Sequence, residues 1–229
     1  MRSRNRILLG FALVFSLCSA GLQIAAQETG KLFAATSENR LWWREAAPSQ
    51  AVWQNNGPAK KVVGMSAFDG RIYAATAADQ LWWREAGSST AAWQNIGKAV
   101  NVVGMAANGG KLYAATSDDQ LWARDAEPKV AAWQSIGKAV NVVGMAAYGG
   151  KLYAATSDDE LWVRDAEPKV AAWQSIGKAV NVVGMAANGG KLFAATADDQ
   201  LWWREAAPEA APWRNIGAAL HVVGMTALP

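Results

Sequence analysis

A chain of 229 residues that is 52% hydrophobic and carries 13 Trp has the length and the apolar surface for one sizeable core. Its formal net charge of +3 comes from 22 Lys+Arg against 19 Asp+Glu. Three of the basic residues (Arg2, Arg4 and Arg6) lie at the start of the chain; without them 19 basic residues face 19 acidic ones, so the basic pI of about 9.0 is not a nucleic-acid footprint.

Those arginines open the first predicted element. An apolar run from Ile7 to Leu17 and then small residues follow them, which is the three-part pattern of a secretory signal peptide. Residues 1–26 are assigned to it, with cleavage after Ala26 (Ile24-Ala25-Ala26) favoured over Ala20 (Cys18-Ser19-Ala20) because the repeats begin just beyond. An uncleaved anchor is the alternative, but the apolar run is short for a spanning helix. A lipoprotein is disfavoured by Leu17, bulky where a small residue belongs. Cys18 is the sole cysteine and leaves with this segment, so packing and closure, not a disulfide, must hold the remainder together. The mature chain, 27–229, is expected to be one domain, secreted or periplasmic, with no membrane span.

From Lys31 the chain repeats itself. KLFAAT or a variant starts at Lys31, Arg71, Lys111, Lys151 and Lys191, an interval of 40 every time. VVGM recurs from Val62, Val102, Val142, Val182 and Val222, and a lone Trp at Trp53, Trp93, Trp133, Trp173 and Trp213. Repeats of this length are the signature of propellers and solenoids.

One unit reads as four short strands. In the third repeat the pattern predicts strands over Val102 to Ala107, Leu112 to Thr116, Leu121 to Asp125 and Ala132 to Ile136. Asn108-Gly109-Gly110 is a hairpin signal, Ser117-Asp118-Asp119-Gln120 a second turn, Glu127-Pro128-Lys129 a longer loop, and 137–140 a crossover to the next unit. The final VVGM is a first strand with no second strand after it, while the first repeat begins at its second strand. Pairing the two completes a blade and removes the open edges of a solenoid, the alternative architecture. The expectation is all-β: a five-bladed β-propeller of four-stranded blades, closed by pairing the C-terminal strand with the first blade. Small residues on the first two strands suit the crowded axis, and Trp on the outer two suits the splayed rim.

Candidate binding residues follow from this geometry. The turn between the second and third strands shares a face with the crossover. Asn39, Asp79, Asp119, Asp159 and Asp199 lie in the turn, and Trp42, Trp82, Trp122, Trp162 and Trp202 begin the third strand. Arg44, Arg84, Arg124, Arg164 and Arg204 follow two residues later on the same strand face. Asn101, Asn141 and Asn181 end the crossovers, where Lys61 and His221 stand at the outer copies. Carboxylates and amides hydrogen-bond vicinal hydroxyls, and the C–H face of a sugar packs on an indole. An alternative reading puts Trp in the inter-blade core and pairs Arg with an acid. His221 is the only histidine, and the Asp-Asp turns offer too few ligands for calcium, so neither a metal site nor any cofactor is expected. Fivefold repetition argues against the single specialised cleft of an enzyme.

The unit GKLYAATSDDQLWARDA followed by AAWQSIGKAVNVVGMAA resembles propeller lectins of the tachylectin and tectonin type and the related bacterial fucose-binding propellers. The shared elements are a G-x-L-Y strand, a D-x-x-L-W-x-R hairpin and a W-x-x-I-G step, over Gly30 to Pro229. The resemblance implies a lectin with sugar pockets between adjacent blades, one per blade; with the signal peptide, the expectation is a secreted, monomeric protein. Its partners would be microbial or cell-surface glycans containing N-acetylhexosamine or fucose. The competing expectation is a propeller scaffold for a protein partner.

Overall fold

The computed structural model describes residues 30–47, 51–126, 131–167, 171–206 and 211–229. The signal-peptide segment and the Glu127-Pro128-Lys129 loop lie outside them. No described helix is long and apolar enough to cross a membrane.

Among the described residues twenty strands run in chain order. The first blade takes β1 (Lys31–Thr36), β2 (Arg40–Glu45) and β3 (Gln54–Pro58). The second holds β4 (Val62–Phe68), β5 (Arg71–Thr76), β6 (Gln80–Glu85) and β7 (Gln94–Lys98). The third holds β8 (Val102–Asn108), β9 (Lys111–Thr116), β10 (Gln120–Asp125) and β11 (Gln134–Lys138). The fourth holds β12 (Val142–Tyr148), β13 (Lys151–Thr156), β14 (Glu160–Asp165) and β15 (Gln174–Lys178). The fifth holds β16 (Val182–Asn188), β17 (Lys191–Thr196), β18 (Gln200–Glu205) and β19 (Arg214–Ala218). The last strand, β20 (Val222–Leu228), returns to the first blade in the order β20-β1-β2-β3. Its register pairs Lys31 with Leu228 and Ala34 with Met225. The protein is thus a five-bladed propeller of four-stranded antiparallel sheets, closed by its C-terminal strand.

Local sequence explains the blade. Gly109 and Gly110 both take positive φ (56° and 78°), as do Asp69 and Gly70 in the second blade, the geometry a two-residue hairpin turn requires. The outermost strand starts two residues later than the sequence pattern suggested and runs on through Gly137 to Lys138. Gly137 accommodates this with a φ of 127° beside a register shift in the β10–β11 pairing.

The inner strands meet at the axis. A Cβ on Gly64 would stand 3.2 Å from both Met105 Cγ and Val102 Cγ1 of the next blade, so a side chain there would push these neighbours back by a few tenths of an ångström. The VVGM residues leave an axial space of about 10 Å³, on the order of a single water. Between blades, Leu, Ala, Met and Tyr or Phe side chains are buried. Trp83 and Trp203 join them at 9% and 8% exposure, where the third and fourth blades place Ala123 and Val163.

Candidate functional site

The rim of each blade begins with the turn after its second strand. In the third blade the Asp119 N–H donates to the Thr116 carbonyl at 2.9 Å, and the Thr116 hydroxyl donates to the Gln120 carbonyl at 3.1 Å. Asp119 has a φ of 62°, the left-handed region that Asp and Asn enter more readily than other side chains. Its Oδ1 accepts the Asn141 N–H at 2.9 Å. Asn39, Asp79, Asp159 and Asp199 accept from the N–H of Lys61, Asn101, Asn181 and His221 in the same way. These turn side chains, candidates for sugar contact, therefore clamp the crossover leaving their own blade.

Asn101, Asn141 and Asn181 are also left-handed, at φ 56°, 55° and 54°. Each links two blades: the Asn101 N–H is held by Asp79 of the second blade, and its carbonyl accepts from Ser117 N–H of the third at 2.9 Å. Their side chains remain exposed and line pockets.

Four junctions between adjacent blades hold an open pocket of the same construction. The one between the second and third blades, about 260 Å³, is walled by the crossover from Lys98 to Val102 and by Thr116, Asp118, Trp122 and Trp133. Ala114, the cross-strand partner of Trp122, leaves room beside the indole. Trp133 is fixed by its Nε1–H, which donates to the Lys98 carbonyl at 2.8 Å. The junctions into the fourth and fifth blades repeat this at about 230 and 250 Å³, with Asp158, Trp162 and Trp173 and with Asp198, Trp202 and Trp213. The junction of the fifth and first blades is larger, about 340 Å³, with Glu38, Trp42, Trp53 and His221. These volumes sit at or below the ~300–1,000 Å³ of drug-sized sites, a size for one small ring.

The junction of the first and second blades is different. Trp93 still donates to the Pro58 carbonyl at 2.9 Å, but the Lys60 ammonium lies 3.9 Å from the centroid of the Trp82 ring. Ala78 stands there in place of the acid.

The arginines lie deeper. Arg44, Arg84, Arg124, Arg164 and Arg204 are all buried, and none lines a pocket described above. Arg84 Nη1 donates to the Asn56 carbonyl of the preceding blade at 3.1 Å, and Arg204 Nη1 to that of Ile176 at 3.3 Å. The Arg124 guanidinium sits over the Trp133 ring at 5.7 Å. Burial pushes these guanidinium groups below their ordinary pKa, yet arginine remains a cation. Arg84 and Arg204 thus fasten the outer strand of the preceding blade, and all five guanidinium groups sit over the lone tryptophan of their own blade.

The structure thus gathers Trp42, Trp122, Trp162, Trp202 and the crossover asparagines around the pockets. It adds Glu38, Asp118, Asp158 and Asp198 and the lone tryptophans, which sequence reasoning did not nominate. Their signal was present: an acid one residue before the left-handed position, and a Trp recurring once per unit. Asp158 is held below the ordinary carboxylate range, first by the Thr156 hydroxyl, then by its own backbone. It is therefore ionised at neutral pH. Each site can offer indole faces and a carboxylate acceptor, joined by an amide at three junctions and by the His221 imidazole at the fourth.

No protein-family model matches the chain, and no curated protein sequence matches it. Solved structures resemble it in fold. A chain of the nidogen/laminin complex aligns at 13% identity and TM-score 0.60, covering 86% of this chain and 81% of that one. The glutaminyl cyclase of Myxococcus xanthus aligns at 16% identity and TM-score 0.52, covering 73% and 70%. At such identities the likeness is one of fold alone.

Proposed function

We propose that the protein is a secreted, non-enzymatic, multivalent lectin whose pockets lie between blades. The observation that carries this is the same pocket repeated at four junctions: indole walls, a carboxylate and, at three of them, a crossover asparagine. An indole takes the C–H face of a sugar, and the polar groups at the rim take its hydroxyls. The sequence resemblance adds glycans bearing N-acetylhexosamine or fucose as the ligand class. A single pocket of this size binds weakly, about millimolar. A rigid ring of four engaging a clustered surface raises avidity by ~10²–10⁴.

A second reading has its own support. Val100, Val140, Val180 and Leu220 are 49%, 51%, 53% and 58% exposed on the crossover face, one at each open pocket. Exposed apolar side chains suit a protein partner, and one of the fold neighbours comes from a protein–protein complex.

A glycan array at high protein density separates the two. The lectin reading expects binding by the native protein and its loss in a Trp42/Trp122/Trp162/Trp202→Ala variant that still melts cooperatively. Absence of glycan binding by the native protein overturns it and leaves the partner-protein reading.

A further inference from the structure

One rim tryptophan already has a partner. At the junction of the first and second blades the Lys60 ammonium lies 3.9 Å from the Trp82 centroid, where the ring quadrupole attracts a cation. The residues in its place elsewhere are Val100, Val140, Val180 and Leu220, which carry no charge. Trp42, Trp122, Trp162 and Trp202 line open pockets instead. A carboxylate lines each open pocket as well, whereas the occupied junction has Ala78. None of the four carboxylates makes an ion pair among the described residues. The uncovered indole and the carboxylate occur together, and both are missing where the chain supplies its own cation.

We propose, resting on the reading of these pockets as ligand sites, that the four open pockets take a protonated amine, set on the indole and paired with the carboxylate. Lys60 is its built-in counterpart at the fifth junction. The first-blade pocket is the fullest case. It is about 340 Å³ and holds Glu38, Trp42, Trp53 and the titratable His221, and Ala218 stands where the other three have Lys98, Lys138 and Lys178. Of these lysines, Lys178 gives its ammonium to Glu160 on the neighbouring strand of its own blade rather than to Asp198 of its pocket.

Calorimetric titration of the full ring with glucosamine, N-acetylglucosamine and glucose, free and displayed on a polymer, tests this. The sugars share a ring and differ in charge at one position. Glucosamine is expected to bind about tenfold tighter than the other two at neutral pH. The advantage should shrink when the pH is raised past ionisation of the amine, and shrink again in Glu38→Gln. A Lys60→Val/Ala78→Asp variant should raise the stoichiometry from four to five. N-acetylglucosamine or glucose binding as tightly as glucosamine overturns the amine and leaves the glycan reading standing. Binding of none of them, even on the polymer, overturns the amine, and the glycan array then decides the glycan reading. A stoichiometry that stays at four overturns the role of Lys60.

Discussion

The junction of the first and second blades and the junction of the second and third share one frame and differ in content. In both, an indole Nε1–H holds the crossover carbonyl, Trp93 to Pro58 and Trp133 to Lys98. In both, a turn side chain holds the crossover N–H, Asn39 to Lys61 and Asp79 to Asn101. Yet Lys60 covers Trp82 in one, while Val100 leaves Trp122 open beside Asp118 in the other. Side-chain bonds to the crossover backbone recur with little change at both; occupancy of a junction is decided by two or three further side chains. Damage to the frame should therefore strike both junctions, and a change of content only one.

The largest effect is expected from a chain ending at Leu220. Removing β20 strips the first blade of its inner strand and opens the ring at β1. Cooperative melting, followed by circular dichroism, should be lost; a truncated ring that melts like the intact one would break the shared-frame account. Next, Arg84→Met removes the hydrogen bond to the Asn56 carbonyl and the contact with Ser88, leaving carbonyl oxygens unpaired. A loss of ~1–3 kcal/mol in denaturant unfolding is expected. Asp119→Ala removes the acceptor for Asn141 N–H and a side chain suited to its left-handed φ, with a loss of ~0.5–1.5 kcal/mol. Asp119→Asn should restore most of it, since an amide oxygen accepts the same bond; equal losses in the two would show that the bond does not matter. Smallest is Lys60→Val, expected within ~0.5 kcal/mol of the native stability because the side chain is exposed. The same change should uncover Trp82 to a collisional fluorescence quencher, and unaltered quenching would show that Lys60 does not cover it.

Much of the ring was legible in the residues. The period of 40, the glycine turns and the unmatched final VVGM sufficed for strand order and closure, because hairpins and repeats are local patterns. The sequence pattern puts the outer strand two residues early, since a bulge at Gly137 leaves no signature beyond the glycine itself. The site was partly legible. Trp122 and Asn101 line a pocket, but the Asp118-Asp119 pair hid its division of labour. Two adjacent carboxylates look alike in a sequence; the left-handed φ turns Asp119 onto the crossover and leaves Asp118 to the pocket. Arg124 shares a strand face with Trp122, and alternation could not show that the outer strand covers one and not the other.

By itself the sequence determined how many blades there are, how each folds and where the ring closes. Only the tertiary structure decided which junctions are open. Each pocket is made by the crossover of one blade against the turn and tryptophans of the next. Residues such as Lys60 and Trp82 come together only when packing around the axis sets the distance between blades.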